Sequence, residues 1–580
     1  MRPQYLLLRT ATSLRRRIRA SEAWFLGLAL VVGIVAGLAA IAMDQLAHGL
    51  QRLLFGLAPG EQLSGVEHVR LVALLALPLG GALVGLATWA ARGRTPIDVV
   101  EANALHGGHI PARDTANVVG QTLLSNGFGA SVGLEAAYAQ AGGGIASLLG
   151  RRMKLRRNDL RTLVGAGAGA AISAVLGAPL TGAFYAFEIV LGAYTPASIA
   201  PVMTASIVAA VTARSMGIAP YVIAAGGMHP LGTIDYLLYV LLGIVCAGVG
   251  IVLMRFVSLV EQGVRRSGLA EPVRPVVGGV ILIGLALVSP QALSSGHGAM
   301  HLNLTTEVTI ASLALVLLLK IAASSVSLGF GFRGGLFFAS LFIGSLLGRL
   351  YELVLGQIPG AHVLAPDDAA LVGMAGLAVA VVGGPMTMAL LVLEATHDFA
   401  LTGVAITAAL VSSSVVRETF GYSFSTWRLH LRGETLLSGR DIGWVRALTA
   451  AKMMRRDVPC IPAATPIGAF RARYPLGSVT RVVLTDAAGA YAGIVQTASA
   501  YTGDAPAEDP VDTLAQLQGA ALGRDMDIAQ VMQVFDRHEA DDLAVLGPDR
   551  CVIGMLTERH VRKRYAEELE RHQRELYGEV

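Results

Sequence analysis

Long apolar runs without charged residues dominate most of the chain. Runs 23–43 and 71–91 contain no Asp, Glu, Lys or Arg, and both reach the roughly 20 residues with which a helix crosses a bilayer. Further apolar runs follow at 162–187, 236–254, 276–289, 309–319, 371–393 and 401–416. Because Gly and Pro interrupt several of these runs, the pattern predicts an all-α membrane domain in which some helices are broken.

Hydropathy falls and charge rises after about Arg432, so we predict a membrane domain at 21–434 and a soluble domain at 435–580. Residues 1–20 form a basic segment that carries Arg9, Arg15, Arg16, Arg17 and Arg19. Basic residues that flank a first span stay on the cytoplasmic side. We therefore expect a multi-pass protein of a bacterial inner (plasma) membrane, with both termini in the cytoplasm.

Two segments of the membrane domain recur in order. The glycine-rich stretch 127–137 matches 329–339 at an offset of 202 (329 − 127), and 177–188 matches 383–394 at an offset of 206 (383 − 177). In both copies of the second segment a Pro precedes a Glu by nine residues. The domain therefore consists of two related halves, which we expect to be inverted with respect to each other, with a substrate site where broken helices meet.

The soluble domain is also duplicated. Six positions between 467 and 493 recur between 528 and 554, each at an offset of 61 (528 − 467). Each copy has the pattern of a short amphipathic helix followed by two β-rich runs, and 503–512 is predicted to link the copies. This pattern indicates a paired α/β module.

Composition excludes several classes of function. The chain is 54% hydrophobic and 15% charged, and its net charge of +4 gives no argument for nucleic acid. Cys246, Cys460 and Cys551 lie far apart and have no ligand spacing, so no metal site or disulfide framework is indicated. No nucleophile–base pair or metal-binding His/Glu spacing is evident, so we expect no enzymatic activity.

The glycine-rich loops 127–133 and 329–335 each lead directly into an apolar segment. Unpaired N–H groups at helix N-termini bind anions, and glycine allows the backbone to approach the ion closely. The loops therefore predict an anion site, although glycines of this kind also allow membrane helices to pack tightly.

Glu135 lies in an apolar context, and an ionisable residue inside a membrane is a functional candidate by default. A carboxylate at a helix N-terminus can occupy an anion site, and protonation would release it. The alternative is a structural hydrogen bond. Glu188 and Glu394 are interpreted as structural or vestibule groups.

These motifs resemble the CLC family of voltage-gated chloride channels and chloride/proton exchangers. The gating motif Gly-Arg-Glu-Gly-Pro of that family aligns with 133–137, and its Gly-x-Phe-x-Pro motif aligns with 335–339, where Ala339 replaces Pro. The resemblance implies a homodimer that transports chloride, with protons as a second candidate substrate. It also implies that Glu135 is the gating glutamate. It implies anion coordination by Gly133, Leu134, Glu135, Gly335, Leu336 and Phe337.

Other positions depart from the family. Gly93 replaces the anion-binding Ser, so that position has no hydroxyl. The pore-lining Tyr aligns with Phe424, and Tyr422 and Ser425 are alternative registers. Ile189 occupies the place of the internal glutamate that many exchangers carry, and an aliphatic side chain cannot relay a proton.

The soluble domain resembles the CBS-domain pair found in many CLC proteins. Such pairs bind adenine nucleotides through Gly-x-x-Thr-x-x-Asp, which aligns with Gly554, Thr557 and His560. Because the Asp is replaced, a structural or dimer-stabilising role is the simpler interpretation, and no cofactor is expected.

The sequence thus predicts a passive anion channel for chloride, with nitrate and other small anions left open. A chloride/proton antiporter is the first alternative. A CBS-regulated cation transporter or membrane sensor is the alternative from another class.

Overall fold

The computed structural model describes residues 21–91, 96–218, 231–305, 308–359, 364–431, 448–502 and 506–577. The chain forms two compact units, Met1–Asp441 and Ile442–Val580. The boundary predicted at 434/435 lies outside the described residues, as do residues 1–20. Each unit is described by itself.

The first half of the membrane unit contains α1 (Glu22–Phe55), α2 (Ala76–Ala90), α3 (Val99–Leu105), α4 (Ala112–Gly127), α5 (Glu135–Arg152), α6 (Arg157–Leu176), α7 (Pro179–Tyr185, followed by a π-helical turn Ala186–Leu191) and α8 (Pro196–Ser215). The second half contains α9 (Thr233–Arg266), α10 (Arg274–Val288), α11 (His297–Thr305), α12 (Ile310–Gly329), α13 (Phe337–Gly356), α14 (Pro366–Val382), α15 (Pro385–Thr396), α16 (Phe399–Thr419) and α17 (Phe424–Leu431).

The eight helices of the first half correspond in order to α9–α16 of the second half. Helices α1 and α9 both have 34 residues, and α2 and α10 both have 15. The series α3 to α8 then repeats in the same order as α11 to α16. In the described part of the chain, eight helical segments are long and apolar enough to cross a bilayer. The predicted pair of related halves is therefore confirmed.

Charge distribution indicates that the halves are inverted. The connection between α5 and α6 lies in the stretch 151–157, which contains five Arg or Lys residues. The equivalent connection between α13 and α14, residues 357–365, contains none. Since basic loops stay on the cytoplasmic side, equivalent loops of opposite character belong on opposite faces of the membrane.

Glycine has two roles in this fold, and both are repeated. Gly129 (φ 91°) and Gly331 (φ 98°) occupy equivalent positive-φ positions in the loops that break the helices. Gly142 and Gly344 lie against carbonyl oxygens of α6 and α14, where an added Cβ would overlap backbone atoms. Tight packing and helix breaking, which the sequence left as alternatives, thus occur at different glycines.

The carboxy-terminal unit contains two copies of one module. The first copy has β1 (Cys460–Pro462), α19 (Ile467–Arg473), β2 (Arg481–Thr485) and β3 (Tyr491–Gln496), after the short α18 (Ala450–Met453). The second has β4 (Leu522–Gly523), α20 (Ile528–His538), β5 (Asp542–Leu546) and β6 (Val552–Thr557), and α21 (Glu558–Tyr577) follows.

Both modules form a three-stranded sheet with the same topology. In each sheet the middle strand pairs in parallel with the first strand and antiparallel with the last. The register shifts at Leu484/Thr485 and at Val545/Leu546, which are equivalent positions (545 − 484 = 61). The predicted duplication of an α/β module is therefore confirmed.

Equivalent residues also join the two modules. One buried cluster contains Val483 and Ile494 of the first module with their equivalents Ala544 and Met555 of the second, each offset by 61 (544 − 483; 555 − 494). The segment predicted as a linker packs on the first module: Val511 is part of its buried core, and Asp509 O accepts a hydrogen bond from Ile467 N at 2.9 Å. The linker interpretation was therefore incomplete, because backbone pairing fixes this segment to the first module.

An ion pair between equivalent strand starts generates a prediction. Arg481 donates to Asp542 and, at 2.8 Å, to Asp541. Burial raises the pKa of Asp542 above its ordinary value, and Arg481 opposes that rise. We expect Arg481→Ala to lower the free energy of unfolding of this unit by about 2 kcal/mol at neutral pH, because a largely buried carboxylate loses its cation.

The pH dependence has a definite sign. A raised carboxyl pKa means that the folded unit favours the protonated acid. The loss of unfolding free energy in Arg481→Ala should therefore become smaller as pH falls through the pKa of Asp542. Hydrogen exchange of β2 and β5 amides in the full chain measures it. Arg562→Ala, which breaks exposed pairs with Asp536 and Glu558, is the control. A deficit that is unchanged at acidic pH would contradict the prediction.

Candidate anion site

The two glycine-rich loops of the membrane unit meet each other. Gly133 and Gly335 form an isolated antiparallel bridge: Gly133 N donates to Gly335 O at 3.0 Å, and Gly335 N donates to Gly133 O at 3.2 Å. These glycines are equivalent, since 335 − 133 = 202. Reciprocal bonds between equivalent residues define a local two-fold axis at this point.

Serine side chains of the preceding helices, α4 and α12, form a second pair of reciprocal hydrogen bonds between the halves. Ser327 Oγ accepts from Ser131 N at 3.0 Å, and Ser125 Oγ accepts from Arg333 N at 2.9 Å. Both the donors and the acceptors are offset by 202 (333 − 131; 327 − 125). Each loop is thus held by a serine from the other half.

Glu135 begins α5 and turns toward the other half. Its Oε1 accepts a hydrogen bond from Phe337 N, the first residue of α13, at 2.7 Å. The side chain is 3% exposed, and Oε2 is buried without a hydrogen-bond partner among the described residues. A carboxylate therefore occupies the N-terminus of α13, as an anion would, but only one of its oxygens is hydrogen-bonded.

Glycine makes this approach possible. A Cβ added to Gly133 or to Gly335 would overlap the Glu135 carboxylate, and neither glycine has a positive φ. The reason for glycine at both positions is therefore space next to the carboxylate. Leu134 and Leu336 are the buried N-cap residues of α5 and α13.

A cavity of about 140 Å³ adjoins the carboxylate. It is lined by Glu135, Gly335, Leu336 and Phe337 from the two loops, by Phe424, Ser425 and Arg428 from α17, and by Pro96, Asp98, Val118, Ala136, Tyr185, Ile189, Arg333, Gly334 and Val382. Helix ends from both halves and α17 therefore surround a single space.

The structure brings together most of the predicted site residues. Phe424 and Ser425 both line the cavity, whereas Tyr422 stacks with His430 and is not among its lining residues. Ile189 lines the cavity as well. Gly93 lies outside the described residues.

Sequence reasoning missed four polar residues of the cavity: Asp98, Tyr185, Arg333 and Arg428. The ring of Tyr185 packs against that of Phe337 at a centroid distance of 6.1 Å. Arg333 had a detectable signal, since it is a charged residue within a glycine-rich loop. Asp98 had another: it follows Pro96-Ile97, and its Oδ1 accepts from Glu101 N at 2.8 Å as the N-cap of α3.

Glu188 and Glu394 cap helices of the opposite half. Glu188 accepts from Met386 N at 3.1 Å, Thr387 N at 2.8 Å and Thr387 Oγ1 at 2.6 Å. Glu394 accepts from Leu180 N at 2.8 Å, Thr181 N at 2.8 Å and Thr181 Oγ1 at 2.7 Å. The two carboxylates and their partners are offset by 206 (394 − 188; 387 − 181). These reciprocal hydrogen bonds between the halves are structural.

In the carboxy-terminal unit, the two candidate nucleotide-binding residues lie on β6, Gly554 within the strand and Thr557 at its end. An added Cβ at Gly554 would lie 2.5 Å from Met454 Sδ, so protein atoms occupy the space beside this glycine. Thr557 Oγ1 accepts from His560 N at 3.2 Å. Nucleotide binding stays a prediction.

The fold and the site define a membrane protein that transports small anions along a pathway between two related halves. The family model of voltage-gated chloride channels matches residues 72–417, and the chain therefore belongs to that family, the CLC family. A ClcB-like chloride channel protein of Ralstonia nicotianae is 30% identical over 390 residues, which are 64% of this chain and 89% of the relative.

Solved structures share the fold. A slow cyanobacterial Cl⁻/H⁺ antiporter has a TM-score of 0.60 and 23% identity over 70% of this chain and 97% of that one. A eukaryotic CLC transporter has a TM-score of 0.59 and 16% identity, and the match covers 92% of this chain and 97% of that one. The second match extends into the carboxy-terminal unit.

The exchanged caps lead to a prediction. Glu188→Gln and Glu394→Gln should each lower the free energy of unfolding by about 2 kcal/mol, because an amide presents an N–H where each site supplies only donors. Thermal unfolding of the detergent-solubilised protein measures the loss, and Glu67→Gln, at an exposed position, is the control. Unchanged stability together with an altered pH response of transport would instead assign these residues to the pathway.

Proposed function

We propose that this protein is a passive anion channel that conducts chloride or a similar small anion and that Glu135 is its gate. The single observation that carries the proposal is the hydrogen bond from Phe337 N to Glu135 Oε1. It holds a carboxylate at the N-terminus of a helix from the opposite half, the position where unpaired amides and the helix dipole attract an anion.

The mechanism is a competition for one set of donors. With Glu135 ionised, its carboxylate occupies the amide of Phe337 and excludes a mobile anion. Protonation removes the negative charge, so the carboxyl group leaves and an anion takes its place. Amide dipoles bind an anion moderately, which allows it to leave again.

Ile189 supports conduction without proton coupling. It follows Glu188 directly and lines the cavity, where an aliphatic side chain offers no group that accepts or donates a proton. The ClcB-like relative is named as a chloride channel protein, whereas the cyanobacterial structure is named as a Cl⁻/H⁺ antiporter. Antiport is therefore the second candidate.

The orientation and assembly belong to the same proposal. The basic segments 1–20 and 151–157 support an orientation in the inner membrane with the amino terminus and the α5–α6 connection on the cytoplasmic side. The CBS pair is cytoplasmic, and two copies of the chain form a homodimer. A cation transporter is disfavoured because Glu188 and Glu394 already accept N–H and O–H donors, which leaves them unsuited to a cation.

The gate predicts a defined pH response. Chloride efflux from liposomes should fall as pH rises, by about tenfold per pH unit above the titration of Glu135, because the ionised fraction blocks the pathway. Glu135→Ala and Glu135→Gln should remove this dependence and retain efflux at the acidic level. The exposed Glu418→Gln should behave like the original protein. A steep pH response that persists in Glu135→Gln would contradict the gating role.

Reversal potentials distinguish the two candidates. Under a chloride gradient, a passive channel reverses at the chloride equilibrium potential, and an added proton gradient does not shift that value. We expect no shift in planar bilayers that contain the purified protein. A shift with the proton gradient would establish coupled exchange and overturn the channel assignment.

A further inference from the structure

The loop between α3 and α4 packs against the junction of α5 and α6. Ser147 Oγ, on α5, donates to Gly108 O at 2.8 Å and accepts from Ile110 N at 2.9 Å. Arg157, the first residue of α6, lies against Gly107, where an added Cβ would be 2.6 Å from Arg157 Nε. Side chains from both connections therefore share one surface of the membrane unit.

The α5–α6 junction is strongly basic. Residues 151–161 contain six Arg or Lys residues and one acid, Asp159, which cannot neutralise all of them. Arg152, Asp159 and Arg161 have interaction partners of their own. The other four basic residues, which we call the basic cluster, are Arg151, Lys154, Arg156 and Arg157.

Arg151 is held in place without a carboxylate. Its Nε donates to Ser147 O at 3.4 Å and its Nη2 to Ile110 O at 3.3 Å, while Nη1 lies 3.4 Å from His109 Nε2. All three distances exceed the usual range of a hydrogen bond to nitrogen or oxygen, so these contacts are weak. The guanidinium is therefore oriented by the chain, and a charged acceptor would bind it more strongly.

The remaining members of the cluster are exposed and form no ion pair with another described residue. Lys154, just after the end of α5, has a φ of 54°. Glycine usually occupies such a left-handed position, because a side chain strains the backbone there. A lysine at this position, without an acid to pair with among the described residues, favours a role for its charge outside the chain's own contacts.

The acids closest to the α3–α4 loop face other groups. Glu101 Oε1 lies 4.0 Å from His106 Nε2. Asp98 Oδ1 accepts from Glu101 N at 2.8 Å, and Asp114 Oδ2 accepts from Ile97 N at 3.3 Å. These contacts leave the positive charge of the basic cluster in place.

The cluster lies where a helix enters the membrane. Helix α6 (Arg157–Leu176) is long and apolar enough to cross a bilayer, and its first residue therefore lies near a bilayer surface. Arg151 is in the last turn of α5, at the same junction. Lipid phosphates are the anions found at this depth, and basic residues beside membrane helices attract anionic lipids.

We propose that the basic cluster, together with His109, binds the phosphate of an anionic phospholipid headgroup. The phosphate replaces the weak acceptors of Arg151 and accepts further charge-assisted hydrogen bonds from Arg156, Arg157 and Lys154. The site is independent of the proposed gate, since it lies at the opposite end of α5 from Glu135. A bound lipid would join the end of α5 to the start of α6.

The test is binding of phosphatidylglycerol to the full chain in detergent micelles, measured by native mass spectrometry at increasing lipid fractions. The original protein should retain phosphatidylglycerol in preference to phosphatidylcholine, whose phosphate is offset by its choline cation. Lys154→Gln and Arg156→Gln should each weaken binding by about fivefold, the factor that corresponds to about 1 kcal/mol per basic residue. Both residues are exposed, so these variants are expected to fold.

A combined variant and a matched control make the test specific. Replacing Lys154, Arg156 and Arg157 together by Gln should weaken binding on the order of a hundredfold. Arg266→Gln removes an exposed positive charge from the last turn of α9, another spanning helix, and should leave binding unchanged. Inorganic phosphate at the same concentration should not displace the lipid.

The outcomes decide between a defined lipid site and general attraction. Loss of phosphatidylglycerol in the cluster variants, with Arg266→Gln unaffected, supports the proposal. An equal loss in Arg266→Gln would show that any surface arginine serves and would overturn the site. Displacement by inorganic phosphate would assign the cluster to a soluble anion and overturn the lipid, and unchanged binding in the combined variant would overturn both.

Discussion

Broken helices inside a bilayer leave N–H groups that water cannot reach, and the way this chain satisfies them determines both its fold and its chemistry. Three carboxylates serve this purpose, and each caps a helix of the opposite half. Glu188 caps α15, Glu394 caps α7, and Glu135 caps α13. The halves are thus joined by acids that cross the two-fold axis, and removing either half would leave the helix starts of the other without acceptors.

The three caps differ in how completely they are hydrogen-bonded, and this difference separates structure from gating. Glu188 and Glu394 each accept three hydrogen bonds from the opposite half, one of them from a threonine hydroxyl. Glu135 accepts one from the opposite half, and its Oε2 has no partner among the described residues. Since a hydrogen bond to a charged group contributes about 1.5–3 kcal/mol, the first two carboxylates are held several kcal/mol more firmly. The smaller number of hydrogen bonds to Glu135 supports the proposal that a mobile anion displaces this carboxylate.

The sequence predicted the two related halves and the importance of Glu135, but it did not predict which helix start each carboxylate contacts. Offsets of 202 and 206 identified the two halves, and the apolar context of Glu135 singled it out, because both are properties of the chain itself. Which helix start receives Glu188 or Glu394 could not be predicted, since a repeat shows that two segments are equivalent but not which of them touch. Asp98 and Arg428 were missed for a similar reason. Each lies outside the repeated motifs and reaches the cavity only through the folding of a different helix.

Comparison of equivalent positions explains where function lies in a duplicated fold. Glu188 and Glu394 occupy matching positions and make matching bonds, so they stabilise both halves alike. Glu135 matches Phe337, and Arg333 matches Ser131 (337 − 135; 333 − 131). If both positions of the first pair carried an acid, two carboxylates would meet at the axis and repel each other. With an acid on one side only, the amide at the opposite helix start can donate either to that carboxylate or to one anion. The two-fold axis supplies the scaffold, and the site is formed where the sequence departs from that symmetry.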